Sequence, residues 1–238
     1  MPSSARPSET RRLYQHVADQ IRTVIQDGGY AVGSRLPPER ELALQLGVSR
    51  PSLREALIAL EIDGRVEIRM GSGVYVCAPA RRPDRDTPAL GESPSELMHA
   101  RAVLESAVIA LAAARVTRPA MARIRERLDA MREDQSRRRP PLENDRRFHV
   151  AIAEMSGNSV LTRLVGELFD ERHGPIASRL RIQSETVQTW DHALAEHERI
   201  YDALEARDPQ AAAAAMSSHL QASQARWIGD NTDGEPAK

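Results

Sequence analysis

The segment APARRPDRDTPALGESP, residues 78–94, divides the chain into two parts of different character. It carries four prolines and several charges. Because proline lacks an N–H donor and has a fixed φ, it is excluded from helix interiors and central strands, and this composition indicates a linker. We therefore predict a flexible arm over residues 1–9, a head over 10–78, a linker over 79–92, a body over 93–228 and a flexible tail over 229–238.

The composition indicates aliphatic cores and limits the kind of partner. Of the 238 residues 41% are hydrophobic but only 3% are aromatic. Residues 1–82 have a net charge of +3 and the remainder has −4, which is compatible with a head that binds nucleic acid but does not require one. Cys77 is the only cysteine, which excludes an intrachain disulfide and a thiolate-rich zinc site.

Nothing in the sequence indicates a membrane protein. The N-terminus lacks the apolar stretch of a signal peptide, and no window approaches about 18 consecutive apolar residues. We therefore expect a cytoplasmic protein without a membrane partner.

The head contains three helical patterns followed by two short strands. Apolar residues recur at helical spacing from Thr10 to about Gly28, and a short helix follows Pro38 and ends at Gly47. A longer helix begins after Ser49, which is a favourable N-cap, and stops at Gly64. The strands RVEIR and VYVCA are joined by the turn MGSG. This order predicts a winged helix-turn-helix, in which the third helix enters the major groove of DNA.

The third helix presents two arginines on one face. Arg50 and Arg54 are four residues apart, opposite an apolar stripe that includes Leu53 and Leu57. The guanidinium fork matches guanine O6 and N7 or a phosphate pair. The same spacing also fits a solvated helix face, and the residues alone leave both interpretations open.

The head resembles a known family over residues 10–77. The stretch LPPERELALQLGVSRPSLREALIALEIDGRVEIRMGSGVYV is similar to the DNA-binding domain of the GntR family of bacterial transcription regulators. The resemblance implies contacts with double-stranded operator DNA from Arg40, Ser49, Arg50, Ser52, Arg54 and the wing-tip Gly71.

The body shows helical patterns throughout. They predict helices over residues 95–116, 118–138, 142–157, from Asn158 to about 172, 185–208 and 209–228. The predicted fold class is therefore mainly α, with a winged helix-turn-helix followed by an all-α bundle.

Four side chains of the body have the chemistry of metal ligands. Asp145 and His149 share one helix face at i, i+4 spacing. His197 and His219 lie nearly equidistant from position 208, and they fall opposite each other if the last two helices pack antiparallel. Imidazoles and carboxylates suit Zn²⁺, Ni²⁺ or Mn²⁺. The spacing alone equally fits a solvated ion pair and histidines packed in a core.

The body resembles the FCD effector domain of the FadR subfamily of GntR regulators. The similar motifs are R-x-x-L-E at 101–105, D-x-x-F-H-x-x-I-A-x-x-S-G-N at 145–158, E-H-x-x-I-x-x-A-L at 196–204 and D-P-x-x-A…H-L at 208–220. The resemblance implies that Asp145, His149, His197 and His219 hold a divalent metal ion. A small carboxylic-acid effector is then expected at its open positions. The stretch TWDHALAEHERIYDALEARDPQAAAAAMSSHL resembles hexuronate-responsive members, which suggests a sugar acid.

Two residues near the predicted metal have alternative interpretations. Arg101 fits a clamp on the effector carboxylate and also an i, i+4 ion pair with Glu105. Trp190 fits a pocket wall or the core, and we favour the core. Four further histidines match no ligand position: His16, His99, His173 and His192.

These features predict a ligand-responsive transcription regulator that binds DNA as a homodimer on half-sites about 10 bp apart. Effector binding is expected to act on the heads through the linker. Two alternatives use the same His/Asp cluster, namely a metal-dependent hydrolase and a direct metal sensor. A hydrolase needs a nearby general base, but the chain has no H-E-x-x-H motif. A hydrolase function would also leave the predicted DNA-binding head unexplained. We therefore expect that the protein is not an enzyme.

Overall fold

The computed structural model of the chain describes residues 12–78 and 90–228. The predicted arm, most of the predicted linker and the predicted tail lie outside the described residues. The described chain divides into two compact units, and the boundary between them falls between Ser93 and Pro94.

The first unit contains three helices and a two-stranded antiparallel sheet. The elements are α1 (Leu13–Asp27), α2 (Glu39–Leu46), α3 (Arg50–Ile62), β1 (Val66–Arg69) and β2 (Gly73–Val76). The predicted order of elements is confirmed, and each boundary lies within a few residues of its predicted position.

Local chemistry explains where α2 ends and α3 begins. Gly47 follows α2 with a φ of +66°, a left-handed conformation that favours glycine. The Ser49 hydroxyl accepts the Ser52 N–H (3.3 Å) and caps α3. The turn between α2 and α3 is therefore encoded by residues within it.

The sheet is short and its apolar face covers the helices. Val66 pairs with Val76, and Ile68 pairs with Val74. Val66, Val74 and Val76 pack in a cluster with apolar residues of all three helices, among them Ile21, Leu42, Leu53, Leu57 and Leu60. This core holds α3 in place and leaves Arg50 and Arg54 half-buried near its N-terminal end.

The residues just before the second unit are fastened to the first. The Arg12 guanidinium donates to both carboxylate oxygens of Glu92, and the Tyr14 hydroxyl donates to the Gly91 carbonyl (3.2 Å). The Ser93 hydroxyl donates to Glu55 (2.7 Å), a buried carboxylate of α3. We call residues 91–93 the strap, since three consecutive residues tie the chain to α1 and α3.

Replacing Ser93 with Ala is expected to destabilise the first unit by about 1–3 kcal/mol, because a buried carboxylate loses a hydrogen bond that water cannot replace. Urea unfolding followed by circular dichroism measures the change. Ser34→Ala is a suitable control, because it removes an exposed hydroxyl of the same unit. If both variants unfold like the parent, the Ser93–Glu55 bond does not stabilise the strap.

The second unit is entirely helical in its described residues. Its elements are α4 (Pro94–Ala113), α5 (Arg118–Ser136), α6 (Leu142–Met155), α7 (Ser159–Asp170), a 3-10 turn (Glu171–His173), α8 (Pro175–Ser184), α9 (Val187–Glu205) and α10 (Pro209–Ile228). The fold class predicted from the sequence is confirmed. The predictions contained no helix at α8, which is short and begins at a proline.

The core of the second unit brings together the helices that carry the predicted ligands. It is formed by α4, α5, α6, α9 and α10, with Ile109, Ile124, Leu128, Phe148, Ile152, Ile200, Leu204, Met216 and Leu220 among its members. Because α6, α9 and α10 share this core, their inward faces converge. None of the described helices is long and apolar enough to cross a membrane.

Candidate metal centre

Asp145, His149, His197 and His219 converge on one point between three helices. One potential ligand atom from each lies within 4.8 Å of the others. The Asp145 Oδ1 atom is 3.2 Å from His197 Nε2 and 3.4 Å from His149 Nε2. The rings of His197 and His219 are 4.3 Å apart, as expected if the last two helices pack antiparallel.

His149 is oriented by a buried carboxylate of α4. Its Nδ1 is 2.5 Å from Glu105 Oε2, and Glu105 in turn accepts a hydrogen bond from Arg101 Nε (2.7 Å). An ionised carboxylate only accepts, so the Nδ1 atom carries the proton that it donates to Glu105. The lone pair of the neutral ring therefore lies on Nε2, which faces the cluster.

His219 is also oriented by a buried carboxylate, that of Glu196 in α9. Its Nδ1 is 2.9 Å from Glu196 Oε2, and Arg226 donates to both oxygens of Glu196 (2.6 and 2.8 Å). The second ring nitrogen of His219 is left for the cluster. Carboxylates that fix the tautomer of a ligating imidazole are a regular feature of metal sites.

Asp145 has a cationic partner on one oxygen only. Arg172 donates to Oδ2 (3.2 Å), and its guanidinium lies over the rings of Phe169 (4.5 Å) and Trp227 (4.0 Å). The other oxygen, Oδ1, is buried and has no hydrogen-bond partner among the described residues. This is the oxygen that faces His149 and His197.

The cluster therefore concentrates electron lone pairs. In the neutral rings, Nε2 of His149 and of His197 lie 3.4 Å apart, and both face the carboxylate oxygen Oδ1 of Asp145. Such an arrangement is repulsive unless a cation or a shared proton lies between the atoms. The residues fit a divalent ion, because three imidazoles and one carboxylate form a mixed N/O set.

Burial favours the neutral, ligating forms of His197 and His219, whereas the pKa of His149 is raised because Glu105 and Asp145 outweigh the effect of its burial. Burial lowers the pKa of His219 to about 3, and the neighbouring His197 acts in the same direction. Burial also lowers the pKa of His197. Although burial alone would raise it, the pKa of Asp145 lies well below its usual range because the rings of His149 and His197 lie beside its carboxylate. A deprotonated carboxylate beside neutral imidazoles is the state that binds a metal ion.

The same balance keeps the orienting carboxylates ionised. Burial would raise the pKa of Glu105, but the charge of Arg101 and the hydrogen bonds from Arg101 and His149 lower it to about 2. The pKa of Glu196 is also about 2, because hydrogen bonds from His219 and Arg226 outweigh its burial. Both glutamates therefore remain acceptors at neutral pH.

A cavity of about 590 Å³, including the space at its mouth, adjoins the cluster. Its charged lining consists of Asp145, Arg172, Glu185, His197, His219 and Arg226.

The cavity changes the interpretation of two residues. Arg101, predicted as a possible effector clamp, is not among the lining residues; it is 1% exposed and paired with Glu105. The alternative interpretation of Arg101, an ion pair, agrees with the structure, although the pair is buried. Trp190 lines the cavity, so the preference for a core position was wrong.

The residues predicted to contact DNA lie on α2, α3 and the hairpin. Arg40 is exposed, and Arg50 and Arg54 are half-buried in the first two turns of α3. Gly71 is exposed in the hairpin turn with a φ of +70°. The Ser49 hydroxyl lies 2.8 Å from that of Ser52, which is only 8% exposed.

Comparisons with known proteins match both units. Residues 13–76 match the family of bacterial regulatory proteins described as gntR family, and residues 96–222 match the FCD domain. The Exu regulon transcriptional regulator of Escherichia coli K12 is 35% identical over 95% of this chain and 88% of its own length. The Uxu operon transcriptional regulator of the same strain is 36% identical over 90% of this chain and 86% of its length.

The chain belongs to the GntR family. Its resemblance to regulators of the FadR type with an FCD domain is thereby confirmed, and the protein is a transcription regulator rather than an enzyme. A solved structure, E. coli McbR/YncC, covers 91% of this chain and 97% of its own at 21% identity, with a TM-score of 0.51. At this identity the likeness concerns the fold alone.

Some residues around the cluster of this GntR regulator were missing from the sequence predictions. Glu196, Arg172 and Arg226 each contact a cluster residue or its orienting carboxylate. Glu105 was considered only as a partner of Arg101. Glu196 directly precedes His197 in the chain, yet it bonds His219, so adjacency in the sequence did not reveal its partner.

Proposed function

We propose that this regulator controls a metabolic operon through a small carboxylic acid, with a sugar acid as the first candidate, bound beside a divalent metal ion in the FCD domain. The observation that carries the proposal is the convergence of imidazole lone pairs and one carboxylate oxygen on the wall of a cavity. Asp145, His149, His197 and His219 would hold the ion, and Zn²⁺, Ni²⁺ and Mn²⁺ all suit these donors. When bound, the ion supplies a positive charge that attracts a carboxylate.

The charges of the cavity support an acidic effector. Arg172 and Arg226 line the cavity, and each is already engaged by one carboxylate, Asp145 or Glu196. The pKa of Arg172 falls to about 10 through burial and the nearby charge of Arg101, so this guanidinium stays protonated at neutral pH. Its charge is available to an incoming carboxylate at the edge of the metal cluster.

Hexuronates are the acids that we propose to test first. The similarity of residues 189–220 to hexuronate-responsive regulators motivates this choice, and two relatives are named as regulators of the Exu regulon and the Uxu operon. A thermal-shift screen of metal-loaded protein against small carboxylic acids tests the proposal. A ligand at 100 times its Kd adds about 2.7 kcal/mol to the stability of a protein that binds it only when folded.

The screen separates this proposal from its alternatives. We expect a hexuronate to raise the melting temperature of the metal-loaded protein but not of the metal-free protein. If metal alone changes operator affinity and no acid does, the protein is a metal sensor. If an acid binds equally well without metal, the ion does not anchor it.

A route from the cluster to the DNA-binding helix follows α4. This helix carries Arg101 and Glu105, which orient His149. Its N-terminal end continues directly from the strap, in which Ser93 bonds Glu55 of α3. We propose that effector binding acts on α3 through this path, in a homodimer bound to double-stranded operator DNA. An effector that weakens DNA binding must itself bind the DNA-bound form of the protein more weakly than the DNA-free form.

Replacing Arg50 or Arg54 with Ala is expected to weaken operator binding by about 1–3 kcal/mol and to relax the base preference, because a bidentate contact with a base is lost. Titration of a labelled operator measures the change. Arg163→Ala removes the same charge from an exposed pair with Glu167 in the second unit and serves as the control. If all three variants bind the operator like the parent, α3 does not recognise DNA through these arginines.

A further inference from the structure

Two buried nitrogen atoms in the cavity have no hydrogen-bond partner among the described residues. They are Nε2 of Gln135, in the last turn of α5, and Nε1 of Trp190, in the first turn of α9. No described residue accepts a hydrogen bond from either atom. Both side chains line the cavity that adjoins the metal cluster. Buried donors are nearly always satisfied in native proteins, so each of these requires an explanation.

The two donors differ in kind from the charged groups of the same cavity. The cluster and Arg172 suit a carboxylate, whereas an amide and an indole N–H are neutral donors that suit a neutral acceptor. The amide of Gln135 also carries an oxygen that accepts. A ligand hydroxyl satisfies this combination, because its oxygen accepts an N–H while its own proton is donated elsewhere.

The hydroxyls of Ser184 and Thr189 add further polar groups to the lining of the cavity. The Ser184 hydroxyl donates to the Leu180 carbonyl (3.0 Å), and the Thr189 hydroxyl donates to the Thr186 carbonyl (2.8 Å). Both residues line the cavity. Because their protons are already used within the protein, each oxygen can only accept further hydrogen bonds; that of Thr189 already accepts the Thr186 N–H (2.9 Å) and keeps one lone pair for a ligand O–H group.

We propose that Gln135 and Trp190 form a subsite for hydroxyl groups, so that the cavity selects hydroxylated carboxylic acids over acids without hydroxyls. The inference rests on the proposed function, since it assigns the acid group to the metal-anchored part of the same cavity. A site with donors for a ligand hydroxyl rejects an analogue that lacks it, because the donors then remain buried and unpaired.

Two conservative variants and two probe acids test the subsite. Trp190→Phe keeps an aromatic ring but removes the N–H, and Gln135→Met keeps the chain length but removes the amide. Isothermal titration of the full-length, metal-loaded proteins compares glucuronate, which carries hydroxyls, with hexanoate, which does not. We expect each variant to bind glucuronate about 3–10-fold more weakly, the usual effect of one hydrogen bond, and to bind hexanoate with unchanged affinity.

A measurement on the parent protein makes the test independent of variant stability. The chain has two tryptophans, so its NMR spectrum contains two indole N–H signals, and Trp190→Phe assigns them. Glucuronate should shift the Trp190 signal, whereas hexanoate should leave it near its position in the free protein.

The outcomes separate the subsite from the function on which it rests. If glucuronate binds the parent and both variants equally and the Trp190 signal does not shift, the subsite is wrong and the metal-anchored acid site stands. If hexanoate binds the parent but glucuronate does not, the subsite and the sugar-acid effector are both wrong. If neither acid binds, the proposed effector chemistry fails, and the subsite fails with it.

Discussion

His197→Ala should lower metal affinity by more than the roughly 10–100-fold that loss of an orienting partner alone costs in metal sites. His197 is 2% exposed, and its Nε2 lies within 3.4 Å of both His149 Nε2 and Asp145 Oδ1. Without this imidazole the ion keeps three of the four proposed ligands. Metal content after dialysis and a competitive metal titration measure the loss.

His192→Ala is the matched control for this variant. His192 lies on the same helix, α9, is exposed and is not part of the cluster. The control should retain the metal and the effector response of the parent. His197→Ala should lose the thermal shift with acid but keep the affinity for non-specific DNA, which depends on the first unit. Parent-like metal content in His197→Ala would falsify the proposed ligand set.

Glu105→Gln is expected to destabilise the second unit by about 3–5 kcal/mol, the usual cost of removing one partner from a buried ion pair. Arg101 and Glu105 are 1% and 3% exposed, so the remaining guanidinium charge has no access to water. The variant also weakens the orientation of His149. Urea unfolding followed by circular dichroism measures the stability, and metal titration measures the second effect.

An exposed pair of the same geometry provides the control. Arg163 and Glu167 also form an i, i+4 pair, but their side chains are 58% and 57% exposed. Glu167→Gln should therefore change the free energy of unfolding by about 0–1 kcal/mol. Equal effects of the two substitutions would show that burial does not strengthen the Arg101–Glu105 pair.

The pH dependence of stability gives Glu105→Gln a second readout. The pKa of Glu105 is lowered from 4.5 to about 2, so the unfolded chain binds a proton more readily than the folded protein. The stabilisation by this carboxylate is then complete above about pH 4.5 and is lost as the pH falls towards 2. The variant should lack this part of the acid dependence, and an unchanged profile would argue against the ion pair.

Most secondary structure could be predicted because its signals are local. Ser49, Thr117 and Asn158 each accept hydrogen bonds from the first N–H groups of the helix that follows. Caps of this kind act within three residues. The helix α8 was missed because its ten residues offer only a weak pattern, with Ile176, Ala177 and Leu180 as its buried apolar residues.

The proposed metal ligands were predictable for a related reason. Asp145 and His149 share a helix face whatever the rest of the fold, and the turn at residues 206–208 places His197 opposite His219 in any antiparallel pair. Helix geometry and one short connection therefore determine the two pairs of side chains, and the shared core of α6, α9 and α10 brings the pairs together. Spacing alone did not separate a metal site from packed histidines, and the preference for a metal site came from the family resemblance.

The sequence by itself determined the two-part organisation, the helices and the four side chains of the cluster, because each depends on spacing within one element or across one turn. Only the tertiary structure decided which carboxylate orients which imidazole. Glu105 reaches His149 across 44 residues and Glu196 reaches His219 across 23, and no local pattern encodes such pairings. The packing of α4, α6, α9 and α10 around one core also turned Arg101 towards Glu105 and left Arg172, Gln135 and Trp190 to line the cavity.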